Sequence, residues 1–533
     1  MTVGGSTKAT ACAAAAGAVL VCSDVFDHQP VELSAEMICA ALRHHSPEVR
    51  VFVVPELCSP LSGLPAAVRA LGAGRVVVGC RRGHARRQKI LGSLRDAGVN
   101  PAAAQVVDLM PGALARPQDV AEQSVARLRA ALARVSGADV SAPVRDAGAV
   151  LGPGRVSRRD LFGLGHLGHL GHLGRRPVAA WTADLCQGRG SSRLCAQSCP
   201  SQALSAAGPG VSVDAASCRG CGACVAACRS GAMSLSGASM AELEAAAGAL
   251  VEDAVRLGLG VAIVCSSAVA KVALGGPWLA LEVPSLEMVT TGWLLEIVAA
   301  GAMVTVRSCG EGACRRRGAE LARLSGDVVG KVAPGRRGLV VVPGEGPSPR
   351  DGAGTPLEVG RRRGHGLAVE LHEPGATVRA MSALAEHTGP WQLVSSVAPL
   401  GDVVIDVARC SACRACLTAC PTGAISAPGR QEDGAMVLNF DASACPACGA
   451  CASSCPEGAL SLHRAIGSSC LPGGRRTVAQ VAGGKRCASC GEPVGAGLVA
   501  NAVAAKLAAS HPVIASRLLS GEDLCPDCRL GAP

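Results

Sequence analysis

A chain of 533 residues is too long for one hydrophobic core, so three to five domains are expected. Hydrophobic residues make up 49%, yet there is no Tyr and there are four Phe and four Trp, which leaves Ala, Val and Leu to build the cores. The formal charge of +10 does not mark a nucleic-acid binder: the 28 cysteines include tight C-x2-C runs, and cysteines that ligate metal do so as thiolates whose charge the count omits. Such runs close no sensible disulfide loop, which excludes a secreted disulfide scaffold and implies a reducing, cytoplasmic setting.

In chain order, Ala9 to Cys22 is apolar but lacks a charged flank, so Ala18–Cys22 reads as a buried first strand and not as a signal segment. A helical pattern at Ser34–Arg43, a β-run at Val51–Val54, a helical pattern at Leu64–Leu71 and a β-run at Val76–Val78 follow. This alternation predicts a small α/β domain with a parallel sheet over 1–150. Residues 151–178 read as a linker. It holds a twin-arginine-like Ser157–Phe162, far inside the chain, and Gly165–Leu173, where His recurs every third residue as a flexible spacer or a metal-binding tract.

A first cysteine block occupies 179–236, and 237–342 repeats the α/β plan. Val54-Pro55-Glu56-Leu57-Cys58 precedes Gly79-Cys80, and Val283-Pro284-Ser285-Leu286-Glu287 precedes Ser308-Cys309 by the same step. Between the second pair lie a helical Trp293–Ala300 and a β-run at Val304–Val306. Pro343–Gly366 is rich in Gly, Pro and Arg, and Leu367–Leu400 has too little pattern to assign; together they make 343–400 a linker and unclassified segment. A second cysteine block fills 401–466 and a small cysteine module fills 480–533. The longest apolar stretch, Gly292–Val306, is too short to span a bilayer and contains Glu296, so no membrane span is expected. The fold class is thus multidomain α/β plus α+β: a duplicated small α/β unit, each copy followed by a cysteine block, then a terminal module.

The strongest motif is Cys410-x2-Cys413-x2-Cys416-x3-Cys420-Pro421, repeated as Cys445-x2-Cys448-x2-Cys451-x3-Cys455-Pro456. It resembles the bacterial two-cluster ferredoxins, in which three thiolates of a tight turn grip one face of a cubane and the fourth comes from the other run. The resemblance implies one [4Fe–4S] cluster on Cys410, Cys413, Cys416 and Cys455, and another on Cys445, Cys448, Cys451 and Cys420. Gly423 and Gly458 allow the turn after each run.

The earlier block departs from that pattern. Cys218-x2-Cys221-x2-Cys224-x3-Cys228 is complete, and with Cys199-Pro200 it supplies four ligands for a third [4Fe–4S] cluster. The partner site has Cys186, Cys195 and Cys228. Cys186-x8-Cys195-x3-Cys199-Pro resembles the ferredoxin variant with an insertion between its second and third ligands, whose first ligand would fall at Ala183. Asp184 substitutes, or a [3Fe–4S] cluster forms, or the site stays empty.

The α/β units carry their own cysteines: Cys22, Cys58 and Cys80 in the first, with Ala85 where a C-x4-C partner would stand, and Cys265, Cys309 and Cys314 in the second, with Glu287 in place of the Cys after Val-Pro. This pattern resembles the iron–sulfur (delta) subunit of methyl-viologen-reducing hydrogenases, a domain also fused to heterodisulfide reductase A-type proteins. The resemblance implies a [2Fe–2S] cluster in each unit, with Glu287 as a carboxylate ligand in the second. It also implies hydrogenase, flavoprotein or heterodisulfide-reductase-like partners. Buried, inert cysteines, or dithiol chemistry at Cys309 and Cys314, are the readings of the residues alone.

At the C-terminus, Cys487-x2-Cys490 and Cys525-x2-Cys528 form two knuckles suited to a zinc-ribbon-like tetrathiolate Zn²⁺ site, separated by a helical pattern at Leu498–Leu519. Three cubanes and one zinc, each held by four thiolates, carry about −2 apiece and bring the loaded chain to about +2. Bunched arginines (Arg81, Arg82, Arg86, Arg87; Arg315–Arg317; Arg361–Arg363) suit an acidic protein partner or a solvated face. No G-x-G-x-x-G opens a βαβ unit, and no P-loop or nucleophile elbow is visible, so the expected function is electron relay within a redox complex and not turnover. A thiol/disulfide reductase and an iron–sulfur scaffold are the rivals.

Overall fold

The computed structural model describes residues 17–23, 34–54, 57, 64–80, 83–100, 103–109, 117–136, 177–186, 194–207, 210–228, 231–235, 238–266, 278–310, 312–336, 340–341, 375–386, 389–427, 436–481, 489–490, 503–520 and 528. Two compact units result: residues 1–187, 194–326 and 336–372 in one, and 188–193, 327–335 and 373–533 in the other.

The first unit opens with β1 (Ala18–Cys22), α1 (Ala35–His45), β2 (Arg50–Val54), α2 (Leu64–Leu71), β3 (Val76–Cys80), α3 (Gly83–Asp96), β4 (Ala104–Asp108) and α4 (Pro117–Ser136). The strands form a parallel sheet in the order β2-β1-β3-β4. β1 and β3 are buried throughout, as unbroken apolar runs in a parallel sheet must be. Ser34 caps α1 by accepting the Met37 N–H at 3.3 Å, and Arg43, His44 and His45 close its last turn against the helix dipole.

A smaller region carries β5 (Ala179–Trp181), α5 (Leu194–Gln197), β6 (Leu204–Ala207), β7 (Gly210–Val213), α6 (Ala223–Ala227) and β8 (Met233–Leu235), with antiparallel β5–β8 and β6–β7 pairs. Then come α7 (Met240–Leu257), β9 (Gly260–Cys265), β10 (Trp278–Val283), α8 (Thr291–Ala299), β11 (Met303–Arg307), α9 (Gly312–Val332) and β12 (Val340–Val341). Their parallel sheet has the order β10-β9-β11-β12. α7 starts at the Ser239 cap and stops at Gly258, whose φ of 65° only glycine adopts cheaply.

Within this unit α4 packs along α7, and arginines of the first α/β layer meet carboxylates of the second. Arg129 reaches Asp253 at 2.5 Å and Glu252 at 3.1 Å, Arg256 adds a 3.0 Å contact to Asp253, and Arg87 reaches Glu282 at 2.6 Å. Arg134 lies 4.0 Å from Glu242; burial lowers the arginine's pKa and raises the carboxyl's, so desolvation exceeds attraction there.

The second unit holds α10 (Gly375–Leu384), β13 (Gln392–Val394), β14 (Gly401–Ile405), α11 (Ala415–Ala419), β15 (Ile425–Ser426), β16 (Met436–Phe440), α12 (Ala450–Ser453), β17 (Leu460–Gly467), β18 (Arg476–Val481) and α13 (Pro512–Ser520). Two antiparallel three-stranded sheets, β13-β17-β14 and β15-β16-β18, flank the cysteine runs. They extend past 401–466 at both ends: β13 comes from the stretch that lacked a pattern, and so does the helix α10. The terminal helical pattern is not continuous either. α13 begins at Pro512, which fits a first helical position but not an interior one.

Asp253 is fully buried beneath two guanidinium groups. Asp253→Ala leaves Arg256 without this carboxylate and Arg129 with only the exposed Glu252, and is expected to cost about 3 kcal/mol. Denaturant unfolding followed by far-UV dichroism checks this; an unshifted first transition would show that the seam contributes nothing.

Candidate metal centres

The cysteine runs share a backbone solution. In C-x-x-C-x-x-C the residue before the second Cys and the residue after it both have positive φ: Gly220 and Gly222 at 67° and 75°, Ala412 and Arg414 at 58° and 63°, Ala447 and Gly449 at 54° and 76°. Successive left-handed residues curl the chain so that three thiols and several N–H groups converge on one concavity, a nest for an anionic centre. The residue three beyond each fourth Cys is left-handed as well, namely Gln202, Gly231, Gly423 and Gly458. Four of these ten positions are not glycine, so the left-handed geometry is held there against a local penalty of about 1 kcal/mol each.

In the second unit these turns wall two cavities. One is lined by Cys445, Cys448, Cys451 and Cys420, with Val403, Phe440 and Leu462. The other is lined by Cys410, Cys413, Cys416 and Cys455, with Met436, Leu438 and Leu460. Each therefore gathers three thiols from one run and the fourth from the other. Burial pushes Cys445 up to about 12 and Cys416 up to about 11, and repulsion from neighbouring thiolates adds to both. A donor set of soft sulfurs in apolar walls, disfavouring its own ionisation, fits a cationic iron–sulfur core that supplies the missing positive charge. β18 braces the first cavity: Arg476 pairs with Asp402 and lies 5.6 Å over the Phe440 ring.

The fourth cysteines differ from the other three. Ala203 N–H donates to Cys199 Sγ at 3.3 Å, Ala459 N–H to Cys455 Sγ at 3.3 Å, and Met233 N–H to Cys228 Sγ at 3.4 Å. Cys199 and Cys420 are half-buried, which opposes ionisation, but hydrogen bonds from backbone and hydroxyl groups outweigh it and hold both thiols below their ordinary pKa. The sequence motif does not reveal these donors; their signal is the left-handed turn that follows each fourth Cys.

The first block builds the same shape. Cys218, Cys221, Cys224 and Cys199 are neighbours, and burial drives Cys221 and Cys224 up to about 12. Cys195 feels both Cys228 and Cys186, so the three cysteines of the partner site also come together. Ala183 starts a single 3-10 turn, Ala183–Leu185, that ends on Cys186.

In the second α/β layer, Cys265 at the end of β9, Cys309 past β11 and Cys314 in the first turn of α9 have sulfurs all within 4.8 Å of one another. A hydrogen bond from the Cys265 thiol, then backbone N–H groups of Cys309 and Leu286, lower Cys314 to about 6 against its burial. Glu287, expected as the fourth ligand here, is outside that group. Its carboxylate instead faces Cys221 and contributes to that thiol's raised pKa. The 3-10 turn Leu286–Met288 directs Leu286 inward and Met288 onto Gly222, leaving Glu287 to the ferredoxin-side loop. The equivalence of Gly79-Cys80 with Ser308-Cys309 also shifts by one residue: Val21 pairs with Gly79 but Val264 with Arg307, so Ser308 stands level with Cys80.

Cys22 and Cys80 are buried at adjacent strand ends, while Cys58 and the Ala85 side chain lie outside the described residues. So do Cys487, Cys525, the arginine pair near 158 and the His repeat; Cys490 is exposed and Cys528 half-buried. Cys39 and Cys470, which no motif claims, are buried with thiols raised by desolvation. No helix among the described residues is long and apolar enough to cross a membrane.

Comparison with known families matches residues 409–459 to a 4Fe-4S dicluster domain and residues 211–234 to a 4Fe-4S binding domain. Both matches lie in the cysteine blocks, outside the α/β segments. No curated protein matches the chain. The chain thus contains two 4Fe–4S ferredoxin-type domains in a mixed α/β multidomain fold, and these point to an iron–sulfur electron-transfer protein.

A Cβ on Gly222 would sit 2.6 Å from Met288 Cβ, whereas one on Gly449 meets nothing within 4 Å, though both have positive φ. Gly449→Ala is expected to cost about 1 kcal/mol from backbone alone. Gly222→Ala is expected to cost more and to lose iron from the first block. Denaturation midpoints and iron content of the two variants check this, and equal effects would count against the contact.

Proposed function

We propose that the chain is a multi-cluster electron relay serving a hydrogenase- or heterodisulfide-reductase-like redox complex. The observation that supports it most directly is the pair of cavities, each walled by three cysteines of one run and the fourth of the other. On this reading Cys410, Cys413, Cys416 and Cys455 hold one [4Fe–4S] cluster, Cys445, Cys448, Cys451 and Cys420 a second, and Cys218, Cys221, Cys224 and Cys199 a third. Bound clusters supply one-electron transfer. The residues around them fix the sulfurs, exclude water with aliphatic walls, and tune the fourth thiolate through N–H donors.

The two α/β layers share one strand order, which supports a duplicated unit, and the exposed Arg315 and Arg316 at the start of α9 suit an acidic redox partner. The terminal knuckles Cys487/Cys490 and Cys525/Cys528 complete the reading as a structural zinc module. Cys186, Cys195 and Cys228, with Ala183 in the vacant ligand position, support a [3Fe–4S] cluster.

Iron analysis of anaerobically reconstituted protein is expected to give at least about 12 Fe per chain, four per cubane; eight or fewer would sink the reading. The crossed ligand sets are checked by double substitution. Cys420→Ser with Cys451→Ser is expected to lose no more iron than either alone, because both serve one cluster. Cys420→Ser with Cys416→Ser is expected to lose about twice as much. The reverse order would mean that each run holds its own cluster.

For the partner site, oxidised wild-type protein is expected to show the isotropic EPR signal of a [3Fe–4S] centre. Ala183→Cys is expected to abolish it and add one iron. A wild-type spectrum without that signal overturns the assignment.

A further inference from the structure

The resemblance of the second α/β layer to hydrogenase delta subunits implies a binuclear iron–sulfur centre, and the side chains do not fit one. A binuclear cluster divides its ligands between two irons, so of any three thiolates at least one pair straddles the core. Cys265, Cys309 and Cys314 are instead mutually within 4.8 Å. The carboxylate meant to complete the binuclear set faces Cys221. Among the described residues, no three of the ferredoxin thiols meet that spacing, although they stand close enough to repel one another. Cubane ligands spread around a four-iron core; this trio is drawn in to a single point.

A tetrahedral ion with metal–sulfur bonds of about 2.3 Å holds its sulfurs about 3.8 Å apart, inside the observed limit. We infer that Cys265, Cys309 and Cys314 form a mononuclear site for a thiophilic divalent cation, zinc, with its fourth position open. The placement of each thiol supports this. Cys314 lies in the first turn of α9, a helix of 21 residues whose positive end favours a thiolate. The Leu286 and Cys309 N–H groups direct hydrogen bonds to its sulfur, which orients a ligand as an outer shell does. Cys265 and Cys314 are buried while Cys309 is half-exposed, so the site is anchored on the inner side and open on one outer side. No described carboxylate or imidazole joins the three sulfurs. Among the described residues the fourth position is left to water or to an exogenous donor, as in catalytic rather than closed structural zinc sites. Zinc binding displaces the thiol protons to solvent and changes no oxidation state.

The inference is independent of the relay reading, and one set of samples separates the two. Zinc, iron and sulfide are measured per chain in full-length protein reconstituted anaerobically with iron, sulfide and Zn²⁺, for the wild type and for Cys309→Ser and Cys314→Ser. Loss of one zinc with iron and sulfide unchanged is the expected result. Loss of two irons and two sulfides would restore the binuclear cluster, and unchanged metals would make the trio ordinary buried thiols; either overturns the proposal. Iron in the ferredoxin blocks is read in the same wild-type sample, so failure of the relay reading shows there and not in the zinc difference.

Should a variant lose all its metal through misfolding, alkylation of the wild type keeps the test open. Cys309 is expected to be protected from iodoacetamide until a zinc chelator is added, with iron content constant through the treatment. Equal labelling before and after chelation overturns the site.

Discussion

Thiolates crowded into apolar walls repel one another and cannot shed their protons without a compensating cation, and this constraint organises the chain. Every run of C-x2-C-x2-C curls so that three sulfurs converge, and burial drives Cys221, Cys224 and Cys445 up to about 12. A cationic core reverses the balance: ligation exchanges protons for metal and turns the same burial into a water-free seat. The structure spends its irregular backbone on that outcome. Ala412, Arg414, Ala447 and Gln202 hold positive φ, a geometry that ordinary side chains pay for and that here aims N–H groups and sulfurs inward.

The rest of the fold positions these loops. Antiparallel strands on either side of the second block supply Val403, Phe440, Leu438 and Leu460 as aliphatic and aromatic walls. β18 locks one wall through Arg476, which spans from Asp402 to the Phe440 ring. In the first unit the second α/β layer plays the corresponding part. Its Leu286–Met288 turn seats Met288 against Gly222 and Glu287 against Cys221, so the ligand loop of the first block has a carboxylate neighbour, as Cys410 of the second block has in Glu457. A negative charge beside a ligand sulfur opposes further negative charge on it.

Much of this was legible in the sequence, and the rest was hidden for definite reasons. β1 and β3 stood out because strands buried on both faces are nearly unbroken apolar runs, and α2 matched its periodic pattern residue for residue. The ligand runs were legible because cubane geometry fixes their spacing. β13 was not: three residues with one half-buried side chain carry no period. β18 was missed because its pairing with β16 contains a register shift that breaks alternation. The arginine–carboxylate seam between α4 and α7 joins residues more than a hundred positions apart, which no local pattern encodes. Glu287 was misplaced because position along a motif says where a residue falls, not which side of a one-turn helix it leaves by.

The trio at Cys265, Cys309 and Cys314 shows how far sulfur spacing alone discriminates among metals. Sequence resemblance weighs which cysteines are present, and by that measure an incomplete ligand set still reads as a cluster site with one ligand replaced. Space weighs how far apart the sulfurs stand. A core of several irons must keep its ligands separated by its own width, whereas one ion draws them to tetrahedral contact at about 3.8 Å. Glu287 stands after Val-Pro, where the resemblance expects a ligand, yet faces Cys221, and the three thiols need no multi-iron core to converge. Within one chain, then, the spread-out sulfurs of the ferredoxin blocks and the gathered sulfurs of the α/β layer are two answers to the same charge problem. The number of metal ions each can hold is set by the distance at which its thiolates are allowed to meet.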